Sequence, residues 1–217
     1  MRRILPMLGI VLLPPVATAV PFQERVATEV VAVGATALST FRALVKQQKN
    51  YREMGFESLD EIDRATLGDP LAVFFVRLDE LGKYADGQDP GPLLHRRTQV
   101  MFPVLVGEAV RSSLTLGSGA KVWQPVAFGG PNKIRLLAST RAASSRNTKL
   151  TLAEYFAVEI PGLKLVFLGH RSPTGVLMLT PVLDNAAFKF KAGVTLPSAE
   201  VFAATRAAAR SNRDLLG

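Results

Sequence analysis

The sequence predicts an α+β fold, in which an antiparallel sheet of about six to eight strands is packed by helices from both ends of the chain. Three observations predict this class. The first two are a long helical pattern near the start of the chain and a second helical pattern that begins at Ser198. The third is the region between these patterns, where alternating or apolar runs are separated by glycine and proline turns. The sheet, one or two short helices and the C-terminal helix make a single domain over residues 51–210, which follows an amphipathic helix over residues 20–50, and the helices are expected on one face of the sheet. Residues 211–217 are expected to form a flexible tail.

Residues 1–19 have the three parts of a secretory signal peptide. A cationic start precedes an uncharged, mostly apolar run over residues 4–16, and Ala17 and Ala19 are the small residues that signal peptidase requires. A retained membrane anchor is the alternative, although the run is short for a span and three prolines interrupt it. We therefore predict an exported bacterial protein, periplasmic or secreted, in which no later segment spans a bilayer.

Composition narrows both the function classes and the partners. The chain has no cysteine, which excludes disulfides, thiolate metal sites and cysteine nucleophiles. Its net charge is +8, and removal of Arg2 and Arg3 with the signal peptide leaves 24 of the 26 basic side chains against 18 acidic ones. This excess favours an envelope protein, an anionic glycan or a lipid headgroup as partner, with simple solubility as the alternative. Nucleic acid is not expected, because an exported chain rarely meets it.

Residues 20–50 are predicted to form one amphipathic helix. Apolar residues recur at spacings of three and four and make a single wide stripe: Val26, Val30, Val33, Ala37, Phe41 and Leu44. A stripe of this length must pack on another surface. Either it covers the sheet of its own domain, or it docks on a membrane surface or a partner helix.

The next segments alternate between turns and regular patterns. Ser58 and Glu61 make a capping box that opens a short helix, and residues 71–78 favour a strand. Residues 79–84 fit either a continued strand or a helical turn. Residues 85–92 are rich in glycine and proline and predict a mobile loop.

Further strand candidates follow, with a short helix predicted over residues 134–143. The strands cover residues 100–106, 109–116, 121–128, 150–160, 163–169, 176–183 and 187–191. In the last of these, Phe188 and Phe190 are expected to face inward, and Lys189 and Lys191 outward.

Basic residues give the best indication of a site. Gly129 and Gly130 follow a predicted strand and precede a predicted helix, where free amides and Lys133 can hold an anion; a tight turn is the alternative. If the strands curl into one sheet, basic side chains on loops and wet faces can gather into one anion-binding surface. These residues are Arg96, Arg97, Arg111, Lys133, Arg135, Arg171, Lys189 and Lys191. A scattered set that only solvates the surface is the other interpretation.

The chain has two histidines, His95 and His170. A catalytic histidine needs an orienting carboxylate and a nucleophile within reach, and the sequence has no hydrolase motif that supplies them. We expect both to be surface residues, with an envelope hydrolase that uses one of them as the alternative. No metal and no cofactor are predicted, because the acidic loop at residues 86–89 lacks the downstream glutamate of a calcium-binding loop.

Three hypotheses of function remain. The first is a non-enzymatic, exported protein of the cell envelope that binds a partner protein or an anionic ligand. The second is the envelope hydrolase. The third is a structural or membrane-docking protein that acts through the helix of residues 20–50.

Overall fold

The computed structural model describes residues 26–119 and 122–214. The predicted signal peptide, with Ala17 and Ala19, lies outside the described residues, as do residues 215–217 of the predicted tail. The α-helices are α1 Thr28–Gln48, α2 Leu59–Asp63, α3 Leu78–Leu81, α4 Pro131–Thr148 and α5 Ser198–Asp214. The strands are β1 Thr66–Leu67, β2 Leu71–Phe75, β3 His95–Val106, β4 Ala109–Gly119, β5 Val122–Phe128, β6 Phe156–Ile160, β7 Leu165–Arg171, β8 Leu177–Pro181 and β9 Leu196–Pro197. Short 3₁₀ helices cover Gly91–Leu93, Leu152–Glu154 and Pro161–Leu163.

The predicted α+β class is confirmed, and the sheet is mixed although mostly antiparallel. The described strands form one sheet of nine, in the order β5-β4-β3-β2-β6-β7-β8-β9, with β1 beside β3. β2 and β6 run parallel, with Ala72 opposite Phe156, because the β3–β5 meander and α4 make a long crossover between them. Sequence patterns miss β1 and β9, since a strand of two residues is too short to show alternation.

Helices cover both faces of the sheet, which corrects the expectation of a single helical face. Val100, Phe102 and Val104 of β3 pack with α1, whereas Met101 packs with Ile134 of α4. Alternate residues of a strand point to opposite faces, so α1 and α4 lie on opposite sides. The core under α5 continues that of α1 on the same face. Ser113 and Thr115 of β4 are polar but buried, so the strand alternates like one with an exposed face although a helix covers that face.

The apolar stripe of α1 covers the sheet of its own domain. Val30, Ala37, Phe41 and Val45 are buried in a core shared with β3 and β4, which favours the first of the two interpretations. Contrary to expectation, α1 is also long and apolar enough to cross a membrane, by length and composition alone. A signal sequence, a membrane anchor and the core helix of a globular domain all pass that test.

Residues 187–191 form a turn, so the strand predicted there is wrong. Asn185 pairs with Phe190 in an isolated bridge, and Lys189 between them has a left-handed φ of 58°. Phe190 is buried while Lys189 is exposed. A turn that packs one side on the core therefore gives the same alternation of aromatic and basic residues as a strand.

The remaining helices refine three predictions. α2 begins after Ser58 as expected, but Ser58 makes no side-chain cap. Instead, the amide of Glu57 donates to Oε2 of Glu61 at 2.7 Å. Of the two alternatives for residues 79–84, the helical turn is correct, since α3 ends there. α4 extends beyond the predicted residues 134–143 at both ends, because its second half buries polar rather than apolar side chains.

Candidate anion-binding site

A β-bulge at the start of β3 forms an open depression where β2 ends. Ala72 lies opposite Val100 and Phe74 lies opposite Arg96, so one residue of β2 faces three of β3. Pairing between β3 and β4 begins only at Gln99. A bulge re-aims side chains that regular pairing would alternate. The depression has a volume of about 460 Å³ and is lined by Phe75, Arg96, Arg97, Thr98 and Gln99.

Arg97 is held there by contacts that do not use its hydrogen-bonding groups. Its Cζ lies 5.2 Å from the centroid of the Phe75 ring, and this cation–π contact leaves the N–H edge of the guanidinium open. Its Nη2 lies 3.6 Å from Oε2 of Glu159, which is an ion pair longer than a hydrogen bond. Among the described residues, its buried Nε has no hydrogen-bond partner. The buried Nε is out of reach of a ligand, so the terminal nitrogens of this partly exposed side chain are the donors that a ligand can use.

Glu159 connects Arg97 to Lys133 of α4. It lies on β6 opposite Phe75, and its Oε1 contacts Nζ of Lys133. The carboxylate is only 14% exposed, so it fixes both cations while presenting little acidic surface. Arg96 adds a further cation, and the depression therefore has more positive than negative charge around it.

A second charged group borders the same aromatic ring. The ring of His95 lies 5.4 Å from that of Phe75, and its Nε2 contacts Oε2 of Glu80. The Glu80 contact gives His95 the orienting carboxylate that the hydrolase hypothesis requires. On the same short helix, Asp79 accepts two hydrogen bonds of 3.0 Å from Arg77, which hold the pKa of the Asp79 carboxyl below its ordinary value.

No protein-family model, curated protein or solved structure matches this chain. What the depression binds must therefore be inferred from its own residues. Within residues 26–119 and 122–214, no group of three or more histidine, aspartate and glutamate side chains is placed to hold a metal ion.

Two other arginines of the predicted surface are engaged in internal contacts. Arg111 donates through Nη1 to Glu57 and through Nη2 to Glu61, both at 2.7 Å. Burial opposes the charge on Glu61, but hydrogen bonds from the Glu57 amide and Arg111 outweigh it and lower the pKa of Glu61 from its ordinary value. Arg135 donates to the carbonyl oxygen of Gly55 at 2.9 Å. We call Arg111, Arg135, Glu57 and Glu61 the hairpin cluster, because they tie α2 and α4 to the β3–β4 hairpin.

Gly129 and Gly130 make a tight turn into α4. Their φ angles are 100° and 67°, which glycine adopts without strain. The amide of Gly129 donates to the carbonyl oxygen of Ser113 at 2.9 Å, and Sδ of Met54 lies 3.0 Å from where a Cβ of Gly129 would be. Because that amide is already hydrogen bonded, the geometry favours a turn over an anion cradle.

The remaining predicted cations lie on the other half of the sheet. Arg171 ends β7 and donates to the carbonyl oxygen of Gly175 at 3.0 Å, while Lys189 and Lys191 follow β8. β2 and β6 separate these strands from β3. The structure therefore brings together Arg96, Arg97 and Lys133, and it places the other predicted residues elsewhere.

His170 is buried, which corrects the expectation of two surface histidines. It is 4% exposed, and its ring lies 5.3 Å from that of Tyr155. Among the described residues its Nδ1 has no hydrogen-bond partner, and burial lowers its pKa from the ordinary value. A side chain this enclosed is not placed to act on a substrate in solvent.

The sequence does not indicate three residues that line the depression, Phe75, Thr98 and Gln99, or Glu159, which contacts Arg97 and Lys133 beside it. Glu159 had a usable signal, because it is the one charged residue in β6, where a carboxylate needs a partner. Thr98 and Gln99 had none, because their placement depends on a bulge that arises from pairing with β2.

Proposed function

We propose that this protein is a non-enzymatic component of the cell envelope that binds an anionic ligand at the β3 bulge. The observation that supports this most is Arg97, whose side chain is 33% exposed and 3.6 Å from its nearest carboxylate oxygen. Hydrogen bonds from a guanidinium to a carboxylate or phosphate are roughly twice as strong as neutral ones. A depression of about 460 Å³ is also within the usual size of ligand sites.

The packing around Arg97 supports a preorganised site. Phe75 and Glu159 fix the guanidinium from two strands, β2 and β6. A side chain that is already ordered loses less conformational entropy on binding. Export to the periplasm or beyond rests on residues 1–19, and the apolar α1 is compatible with it.

Isothermal titration of the mature chain with inorganic phosphate tests the proposal. Arg97→Gln should weaken binding about tenfold, since a charge-assisted hydrogen bond is lost. Arg146→Gln is the matched control, because it removes the same charge from an exposed position of α4 and should change the affinity less than about twofold. Equal losses in the two variants would show that only net charge matters.

The envelope hydrolase is a second candidate, favoured by the contact between His95 and Glu80. An envelope hydrolase would release product from an anionic ester, whereas a protein that only binds an anion would release none. His95→Ala should then abolish turnover and leave phosphate binding within about twofold. Absence of turnover by the wild-type chain would leave only the binding proposal.

A membrane-docking role through α1 has less support, because its apolar stripe is buried on the sheet. Liposome flotation of the mature chain distinguishes the two: a docking helix should carry the protein to the lipid fraction. Recovery of the protein in the aqueous fraction would contradict the docking role.

A further inference from the structure

We infer that the ligand of the β3 bulge is a carboxylated sugar, as in the uronate units of an acidic glycan. This inference rests on the proposed anion binding and names its ligand class. It depends on three features: a cation held at the depression, neutral hydrogen-bonding groups that line it and an open border.

Glu159 holds the cations beside the depression in place. Its carboxylate contacts Lys133 and lies 3.6 Å from Nη2 of Arg97. Its repulsion of an anion and the attraction by Arg97 and Lys133 both scale with the charge of the ligand, so charge alone does not distinguish a phosphate from a carboxylate. The choice between these ligands rests on the neutral groups of the depression.

Thr98 and Gln99 place neutral hydrogen-bonding groups beside the cation. In a regular strand Thr98 would point away from the face of its two neighbours, but the bulge puts Arg97, Thr98 and Gln99 around one depression. Thr98 is exposed and Gln99 is half-buried. A hydroxyl and a carboxamide both donate and accept hydrogen bonds, as sugar hydroxyls do. A sugar unit carries its hydroxyls at separate positions around a ring, whereas all the oxygens of inorganic phosphate are on one atom, so a sugar is the better match for neutral groups that lie beside the cation.

The depression is open along the start of β3, because pairing with β4 begins only at Gln99. An open site can hold one unit of a polymer while the neighbouring units continue into solvent. An acidic glycan meets all three conditions, because it carries one carboxylate and several hydroxyls on each unit.

The experiment compares four probes on the mature chain by isothermal titration at one ionic strength: trigalacturonate, its methyl ester, inorganic phosphate, and vesicles that contain an anionic phospholipid. Trigalacturonate should bind about tenfold more tightly than phosphate, and esterification should abolish its binding. Thr98→Val and Gln99→Leu should each weaken trigalacturonate binding about fivefold, because each removes a hydrogen-bonding group from the depression. Thr66→Val, at an exposed position of β1, is the control and should leave the affinity for trigalacturonate and for phosphate unchanged.

The outcomes separate this inference from the proposed function. Phosphate binding that depends on Arg97 and equals that of trigalacturonate overturns the inference and leaves the proposal intact. Binding of the vesicles without binding of trigalacturonate also overturns it, in favour of a lipid headgroup. Binding of none of the probes contradicts both. Because the ester comparison uses the unmodified protein, it stands even if a variant fails to fold.

Discussion

Arg97 and Arg111 lie on neighbouring strands of one hairpin, but their guanidinium groups have different partners. In both, Nε is buried and has no hydrogen-bond partner among the described residues. The difference is at the terminal nitrogens: those of Arg111 lie 2.7 Å from two carboxylates, and the nearest carboxylate oxygen to Arg97 is 3.6 Å away. Arg111 therefore links distant segments of the fold, while the terminal nitrogens of Arg97 have no carboxylate at hydrogen-bond distance among the described residues. Partner geometry, rather than residue type, separates these two arginines.

The largest expected loss of stability comes from substitution of Gly55, which lies against the hairpin cluster. Its φ is +94°, and an added Cβ would lie 2.1 Å from the carbonyl oxygen of Arg111. Gly55→Ala should lower the free energy of unfolding by about 3 kcal/mol, since a left-handed conformation and a backbone clash combine. Urea denaturation measures it. Gly107→Ala is the control, because its φ of +60° faces open space, and it should cost only about 1 kcal/mol; similar losses would contradict the clash.

A smaller effect should distinguish the two arginines themselves. Arg111→Gln should lower the free energy of unfolding by about 2 kcal/mol, because the nearly buried Glu61 loses a charged partner. Arg97→Gln should cost less than about 1 kcal/mol, since it loses a cation–π contact and a long ion pair but no hydrogen bond, and Glu159 keeps Lys133. Urea denaturation of both variants gives the two values. If Arg97→Gln were the more destabilising, the assignment of roles would be reversed.

Between the two arginines, the pH dependence of stability should report on the surroundings of Arg111. The folded-state pKa of Glu61 lies below its ordinary value of 4.5, so the unfolded chain takes up the proton first as the pH falls. This contribution to stability is complete above about pH 4.5 and is lost below it, toward the folded-state pKa. Arg111→Gln should lose less stability than the wild type between pH 5 and pH 3. Equal slopes in acid denaturation would show that Arg111 does not hold that pKa down.

Much of the fold could be predicted because its patterns are local. The stripe of α1, the β3–β5 meander and the start of α5 at Ser198 all depend on residues a few positions apart. Predictions failed where distant contacts decide. Lys189 turns left-handed because the chain pairs Asn185 with Phe190, and nothing in the alternation of that segment indicates it.

The sequence predicts the candidate site only as a set of cations. Composition and position indicate Arg96, Arg97 and Lys133. They equally indicate Arg111 and Arg135, whose hydrogen bonds are within the fold. The distinction depends on where carboxylates arrive from distant segments. Glu57 and Glu61 reach Arg111 from α2 and the residue before its cap, and that approach cannot be derived from the spacing of the basic residues.

Anion binding at Arg97 is tested most directly by NMR, in which the Nε–Hε resonances of the arginine side chains are followed while inorganic phosphate is added. We expect a saturable shift of the Arg97 resonance, with that of Arg111 unchanged, because the terminal nitrogens of Arg111 already lie 2.7 Å from two carboxylates and those of Arg97 do not. Arg111→Gln should leave the Arg97 shift in place. A shift of Arg111 without one of Arg97, or equal shifts of every arginine, would contradict a specific site at the β3 bulge.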